Sequence, residues 1–243
     1  MNDYAICTFH KCGSNWFRDI FFQIAELQDH SFIHYPENES RFGKPVRRGP
    51  VTQHVFSTGL RKQYDEVFPG SGDDIPTVFC VRDPKDATVS QYFSWRNSHK
   101  NNSPRLLEWR DKLQSMPPKD GIEALLKAGR ISYLNNLSQW ADNLSARSDS
   151  LILKYEDLLD DFQSALRPVL DRLGAEVSDA QLSAIYESTR FESKVERRSG
   201  EEDQSSHYRK GVAGDSKNYF DANLNAAFDE KYGELPGLLG YIS

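Results

Sequence analysis

Tyr4-Ala5-Ile6-Cys7-Thr8-Phe9-His10-Lys11-Cys12-Gly13-Ser14-Asn15-Trp16 is an apolar run that breaks into a short polar loop and then into a helical pattern. Tyr4 to Phe9 has the β-branched and aromatic content of a buried strand, and from Trp16 to Leu27 apolar residues recur at helical spacing. A strand that passes through a tight loop into a helix aims the first backbone N–H groups of the helix at one spot, where phosphate-like anions bind. Gly13 lets the backbone come close, Ser14 and Asn15 can donate side-chain hydrogen bonds, and Lys11 sets an ammonium beside the same spot. Alone, the unit is common to kinases, NTPases and proteins that bind no nucleotide, and Trp16 suits a core as well as a ring stack.

Outward from this stretch, Glu37 to Gly49 is rich in Pro, Gly, Asn and Arg and reads as a loop, followed by a strand at Val51 to Phe56. Thr77 to Val81 is an unbroken apolar run of the kind that fills a parallel sheet covered on both faces. It leads directly into Arg82-Asp83-Pro84-Lys85-Asp86, where Asp83 suits an N-cap and Pro84 the first helical position, so a helix follows to about Trp95. Leu106 to Ala146 is helical with interruptions, one of them marked by Met116-Pro117-Pro118. A fourth strand, Ser150 to Tyr155, precedes an amphipathic helix from Asp157 to Leu173 that stops before Gly174. Ser178 with Gln181 predicts a capping box for a helix to about Ser188. Strands alternating with helices imply a three-layer α/β/α fold around a central, mostly parallel sheet. The polar stretch Arg197 to His207 reads as a mobile segment, a candidate lid ahead of Tyr208-Arg209-Lys210-Gly211.

With 243 residues, 38% hydrophobic and 27% charged, the chain suits one domain over 1–243 and is too short to require two. A net charge of −6 argues against general affinity for nucleic acid or an anionic membrane; an anionic ligand has to be held in a local basic pocket, which screening over about 8 Å permits. Cys7, Cys12 and Cys80 are odd in number and form no Cys-x-x-Cys pair, which fits a reduced protein with no metal site better than a disulfide framework. The N-terminus has no leader-like pattern and nowhere do about eighteen apolar residues run together, so cytoplasmic residence without a membrane partner is the expectation.

Three separated segments carry anion-binding residues at a strand end or beside the polar stretch: Lys11-Cys12-Gly13-Ser14-Asn15-Trp16, Arg82-Asp83-Pro84-Lys85-Asp86-Ala87-Thr88-Val89-Ser90, and Arg209-Lys210-Gly211-Val212-Ala213-Gly214-Asp215-Ser216-Lys217-Asn218. Each has a bland explanation: Arg82-Asp83-Pro84 can serve only as a helix cap, Arg209 and Lys210 as a solvated basic pair, and Tyr155 as packing. In this order and together they resemble the cytosolic-type sulfotransferases, which use 3′-phosphoadenosine 5′-phosphosulfate (PAPS) and release 3′-phosphoadenosine 5′-phosphate (PAP). The likeness runs on through Phe220, Phe228-Asp229 and Tyr232, and it implies a P-loop nucleotide-hydrolase-like α/β fold. It assigns the Lys11–Asn15 loop, with Cys12 inside it, to the 5′-phosphosulfate and Trp16 to stacking on adenine. Arg82, Ser90, Arg209, Lys210 and Gly211 would take the 3′-phosphate, while Tyr155, Thr189 and Phe191 match the remaining adenine contacts. Two anionic ends of one nucleotide do need two basic clusters, and arginine grips a phosphate with a fork. The chain departs from the family pattern at His10, Asn15 and Ser216, where Pro, Thr and Trp are usual, and the last change would loosen packing of the lid.

Sulfuryl transfer is an in-line displacement at a highly charged centre, so positioning and charge stabilisation supply most of the rate. Lys11 is the candidate for stabilising the leaving phosphate oxygen. The resemblance places a general-base histidine between the first two motifs at a strand end; His54 matches by order, with His10 and His99 as alternatives, although the lysine usual before Thr-His is absent. The acceptor would be a hydroxyl or amine of a small molecule. Phe32, Tyr35, Phe42 and Phe93 point to an apolar or aromatic acceptor, or to core packing. A P-loop kinase would need Gly-x-x-x-x-Gly-Lys-Ser/Thr, whereas here Lys precedes Gly and no second Gly follows; a non-catalytic PAPS-binding or scaffold protein would keep the pocket without the base. Monomer and homodimer both fit, since Phe220-Asp221-Ala222-Asn223 departs from the family's dimer motif.

Overall fold

The computed structural model describes residues 4–29, 32–35, 46–48, 54–56, 77–100, 103–135, 137–138 and 150–241. In chain order the elements are β1 (Ala5–Thr8), α1 (Ser14–Leu27), β2 (Phe32–Tyr35), β3 (Val46–Arg48), β4 (His54–Phe56), β5 (Thr77–Val81), α2 (Pro84–Phe93), a π-helical turn (Ser94–Ser98), α3 (Pro104–Gln114), α4 (Pro118–Lys127), β6 (Ser150–Lys154), α5 (Tyr155–Asp160), α6 (Phe162–Leu173), α7 (Asp179–Thr189), α8 (Phe191–Lys194), a 3-10 turn (Asp215–Asn218), α9 (Ala222–Tyr232) and α10 (Leu235–Leu238). They group into two compact units, Met1–Arg82 with Asn136–Arg190, and Asp83–Asn135 with Phe191–Ser243. Among the described residues no helix is long and apolar enough to cross a membrane.

The first unit holds one sheet in the order β3-β2-β4-β1-β5-β6, parallel throughout except for the antiparallel pair β2–β3 at one edge. Ile6 and Cys7 of β1 and Val78 to Val81 of β5 are wholly enclosed, as an uninterrupted apolar run requires when both faces are covered. On the other edge, β6 alternates: Leu153 is buried and Ile152 exposed. Helix α1 buries Phe17, Ile20, Phe21, Ile24 and Ala25, a stripe at i, i+3, i+4, i+7 and i+8. Each large apolar side chain so removed from water contributes roughly 1.5–3 kcal/mol. Helix α6 buries Phe162, Leu166, Val169, Leu170 and Leu173 and closes on Gly174 in the left-handed conformation (φ 63°), and α7 opens with the reciprocal Ser178–Gln181 capping box. The three cysteines are buried, none of them in a disulfide, and burial, with Cys12 and Cys7 nearby, pushes the Cys80 thiol well up.

The second unit is built on α2. Asp83 caps it by accepting from the Asp86 N–H (2.8 Å), Pro84 takes the first turn, and its buried residues, Pro84, Asp86, Ala87, Thr88, Val89, Gln91, Tyr92 and Phe93, leave almost no solvent face. Helix α4 lies so close to α2 that a Cβ on Gly121 would sit 2.5 Å from the Tyr92 ring. Gln91 bridges the Arg130 carbonyl and the Ser132 N–H, and the Tyr232 hydroxyl of α9 donates to Asn135 Oδ1 at 2.9 Å.

The α/β class and the mostly parallel sheet agree with the sequence expectation, and several boundaries move. Two strands went unread: β2, and β3, which falls inside the Glu37–Gly49 loop assignment. Helix α1 starts at Ser14, two residues before Trp16, because Gly13 in the left-handed region supplies the N-cap. The helix after Arg82 widens into a π-turn at Ser94, closed by the His99 N–H on the Ser94 carbonyl at 2.7 Å. The single helix expected over 157–173 is two, because Asp161 (φ −144°, ψ 94°) ends α5 and caps α6. Tyr155 is the first residue of α5 instead of the last of a strand.

Candidate functional site

In the first unit the loop between β1 and α1 carries two left-handed residues, Lys11 (φ 67°) and Gly13 (φ 94°). Cys12 between them is buried and braces the turn: its Sγ accepts from the Phe9 N–H at 3.0 Å and donates to the Phe9 carbonyl at 2.8 Å. Its thiol therefore faces the loop's own backbone. Helix α1 begins with no side-chain cap and no acidic residue in its first turn, so its positive end keeps its demand for an anion. Gly13 is required sterically as well as by φ, since a Cβ there would sit 2.8 Å from Cδ2 of Tyr155. Lys11, Ser14 and Asn15 are half-buried, and Asn15 Oδ1 accepts from Arg18 Nη1 at 3.1 Å.

The Tyr155 ring is the hub of this cluster. The Arg82 guanidinium lies 4.7 Å from its centroid, and Trp16 meets it edge-on at 5.4 Å. Trp16 Nε1 donates to Thr189 Oγ1 (3.2 Å), whose hydroxyl donates in turn to the Ile185 carbonyl (2.7 Å), so the indole is held at its polar end. Gly13, Trp16, Arg82, Tyr155 and Thr189 are thus brought together from a loop, α1, the end of β5, the start of α5 and the end of α7. His54 opens β4, its backbone in register with Ala5 of β1 and Ile33 of β2. The base assignment rests on its side chain, which lies outside the described residues, as does most of the Pro36–Gly49 segment expected to line an acceptor pocket.

In the second unit Arg209, Lys210 and Gly211 form a cationic corner. Arg209 pairs through Nη2 with Asp215 Oδ2 (2.5 Å) and through Nη1 with Glu202 Oε1 (2.5 Å), and its guanidinium lies 4.5 Å from the Phe93 centroid. Lys210 Nζ takes the other Asp215 oxygen at 2.6 Å, and Asn218 Nδ2 adds a hydrogen bond at 3.0 Å. Burial pushes the Asp215 carboxyl up, but the hydrogen bonds from Lys210 and Arg209 outweigh it and hold the group below the ordinary carboxylate range. Asp86, 1% exposed, accepts the N–H groups of Gly214 and Ser216 at 2.7 Å each. Ser216 is therefore anchored in its turn through its backbone N–H. Gly211 (φ 67°) lies against the Phe191 ring, where a Cβ would come within 2.4 Å of Cδ2, and Ser90 is half-buried on α2.

The Arg197–His207 stretch is stitched down instead of loose. The Arg197 guanidinium donates to the carbonyls of Glu201 (2.7 Å), Tyr208 (2.7 Å) and Arg209 (3.2 Å), Gly200 N–H reaches the Lys210 carbonyl, and Ser199 Oγ donates to the Gly211 carbonyl. Asp86, Asp215 and Arg197 were not assigned from sequence; the first two stood inside the quoted motifs, so the only available signal was their neighbourhood.

The family model described as sulfotransferase domain matches residues 66–240. The chain is 26% identical to human sulfotransferase 1C2 over 255 residues, covering 95% of this chain and 82% of that protein, and 25% identical to human sulfotransferase 2A1 over 256 residues, covering 96% and 85%. Among solved structures it is similar to mouse sulfotransferase SULT7A1 complexed with PAP (TM-score 0.68, 21% identity, 97% of this chain and 84% of that one). It is also similar to retinol dehydratase in complex with androsterone and inactive cofactor PAP (TM-score 0.63, 15% identity, 96% and 80%). At those identities the structural likeness carries the fold.

Proposed function

The chain belongs to the sulfotransferase family and is a sulfuryl-transferring enzyme, and from this premise we propose that it uses PAPS as donor and a hydroxyl or amine of a small molecule as acceptor. We read residues 1–243 as one sulfotransferase domain, cytoplasmic in setting, with no nucleic-acid partner, as the net charge of −6 supports. The observation that carries the nucleotide assignment is the cluster in which Trp16, hydrogen-bonded to Thr189, meets Tyr155 with Arg82 against the same ring, beside the uncapped start of α1. The residues fit such a ligand: Gly13 leaves no side chain between the Tyr155 ring and the loop, and no first-turn carboxylate opposes an anion.

In this reading PAPS supplies an activated sulfuryl group, and the chain does the rest. The N–H groups at the start of α1, with Ser14 and Asn15, hold the 5′ end, and Lys11 stabilises the oxygen on which charge builds as the S–O bond breaks. Trp16, Tyr155, Thr189 and Phe191 take the adenine, while Arg82, Ser90, Arg209, Lys210 and Gly211 take the 3′-phosphate. His54 accepts the acceptor's proton during in-line attack. The test is transfer from PAPS to a panel of small hydroxyl and amine acceptors alongside PAP binding. Lys11→Ala should lower turnover by about a hundredfold or more, on the order of 3 kcal/mol, and a loss below about threefold would remove Lys11 from the role. His54→Ala should abolish turnover while PAP still binds; near wild-type turnover would place the base elsewhere.

A further inference from the structure

The cationic corner of the second unit is held by acids that the function has not yet used. We propose that Asp215 is a positioning residue for 3′-phosphate recognition, fixing Arg209 and Lys210 as a matched pair, with Glu202 the exchangeable counterion on Arg209. This rests on reading Arg209 and Lys210 as ligands of the 3′-phosphate.

Neighbouring cations repel and, left alone, point apart. Here one carboxylate lies between them, one oxygen to each at 2.5 and 2.6 Å, so that their mutual repulsion is offset and both heads are held at one place. Asp215 cannot leave: it is 3% exposed, Asn218 ties the same oxygen as Lys210, and the N–H groups of Gly214 and Ser216 on either side of it are bonded to the buried Asp86 carboxylate. The Arg209 plane is fixed as well, lying 4.5 Å from the Phe93 centroid. Glu202 differs, because its side chain is 28% exposed against 2% for Asp215 and can swing into water. An incoming phosphate therefore exchanges with Glu202 at Nη1 and leaves the Asp215 contact at Nη2 intact. The two acids on one arginine have opposite effects: Asp215 favours the phosphate and Glu202 competes with it.

The experiment is calorimetric titration of the full chain with PAP and with AMP, which lacks the 3′-phosphate. Asp215→Asn, of equal size but uncharged, should weaken PAP about tenfold and change AMP by less than about twofold. Glu202→Gln, which removes the competing carboxylate, should tighten PAP and leave AMP unchanged. Equal weakening of PAP and AMP in Asp215→Asn would reduce Asp215 to a structural role, and loss of the preference in Glu202→Gln would assign the positioning to Glu202; either overturns the proposal. Should Asp215→Asn fail to fold, Asp215→Glu, which keeps the charge but displaces the carboxylate, decides: an undiminished preference for PAP in it overturns the positioning role. Arg209→Ala separates this inference from its premise. A wild type with no preference for PAP, or a preference that survives Arg209→Ala, removes the phosphate reading itself. Loss of the preference in Arg209→Ala with its retention in Asp215→Asn removes only the role given to Asp215.

Discussion

Gly211 shows how one residue answers two constraints at once. Its φ of +67° costs an L side chain roughly 1–2 kcal/mol. Its missing Cβ also leaves room for the Phe191 ring, whose Cδ2 and Cγ would lie 2.4 and 2.5 Å from that carbon, and Arg197 lies 5.6 Å from the centroid of the same ring. Gly211→Ala should therefore lower the melting temperature and weaken PAP. Adding Phe191→Ala should recover part of the loss, leaving the φ strain behind, and a thermal-melt double-mutant cycle reads the difference. Additive effects would mean that the ring is not the obstacle. Gly13 repeats the arrangement against Tyr155, with φ 94° and 2.8 Å to the ring. Both glycines were picked out of the sequence by motif, but the reason for them was not legible there, because Phe191 and Tyr155 lie 20 and 142 residues away along the chain.

At the scale of elements, local signals were read well and weak or shared ones were not. Asp83-Pro84 and Ser178-Gln181 announce helix starts through their own hydrogen-bonding chemistry, and both caps are present. Ser178→Ala should cost about 1 kcal/mol in denaturant unfolding and leave transfer activity unchanged, since the cap serves α7 alone. Strand β3 escaped notice because Val46, Arg47 and Arg48 carry two charges in three residues beside Pro and Gly, a pattern an edge strand tolerates and a loop shares. The break at Asp161 was invisible because the same aspartate that stops α5 starts α6, and helical periodicity runs across it. The 197–207 stretch misled by composition: its Ser, Glu and Gly content suggests freedom, whereas the Arg197 guanidinium satisfies three carbonyls within it and just beyond. Arg197→Met should raise hydrogen exchange across 197–211 with little change in global melting, because the opening is local. Unchanged exchange there would show that the backbone bonds hold the loop without the arginine.

For the whole molecule the sheet class, the acidic balance and the need for local cationic pockets were legible, because each depends on sums and order along the chain. What was not legible is where the acids go: among the described residues the buried carboxylates are Asp215 and Asp86, and they hold the cationic corner together. This determines how the protein should respond to acid. The folded Asp215 carboxyl lies below its ordinary value of 3.8, so between the two values the unfolded chain binds more protons than the native one. The contribution is complete above the unfolded value and is lost as pH falls through the lower folded one. Asp161, Asp203 and Asp221 are shifted the same way but lie partly or well exposed at the surface, where water and salt screen their hydrogen bonds and ion pairs, so Asp215 should dominate. Melting temperature followed from about pH 7 down to about pH 2 should therefore drop most steeply below roughly pH 4 in the wild type. Asp215→Asn should melt well below it at neutral pH and converge on it in acid, since protonation then deprives the wild type of the same charge. A constant gap between the two across that range would show that Asp215 titrates alike in the folded and unfolded chains, and the electrostatic hold on Arg209 and Lys210 would have to come from elsewhere.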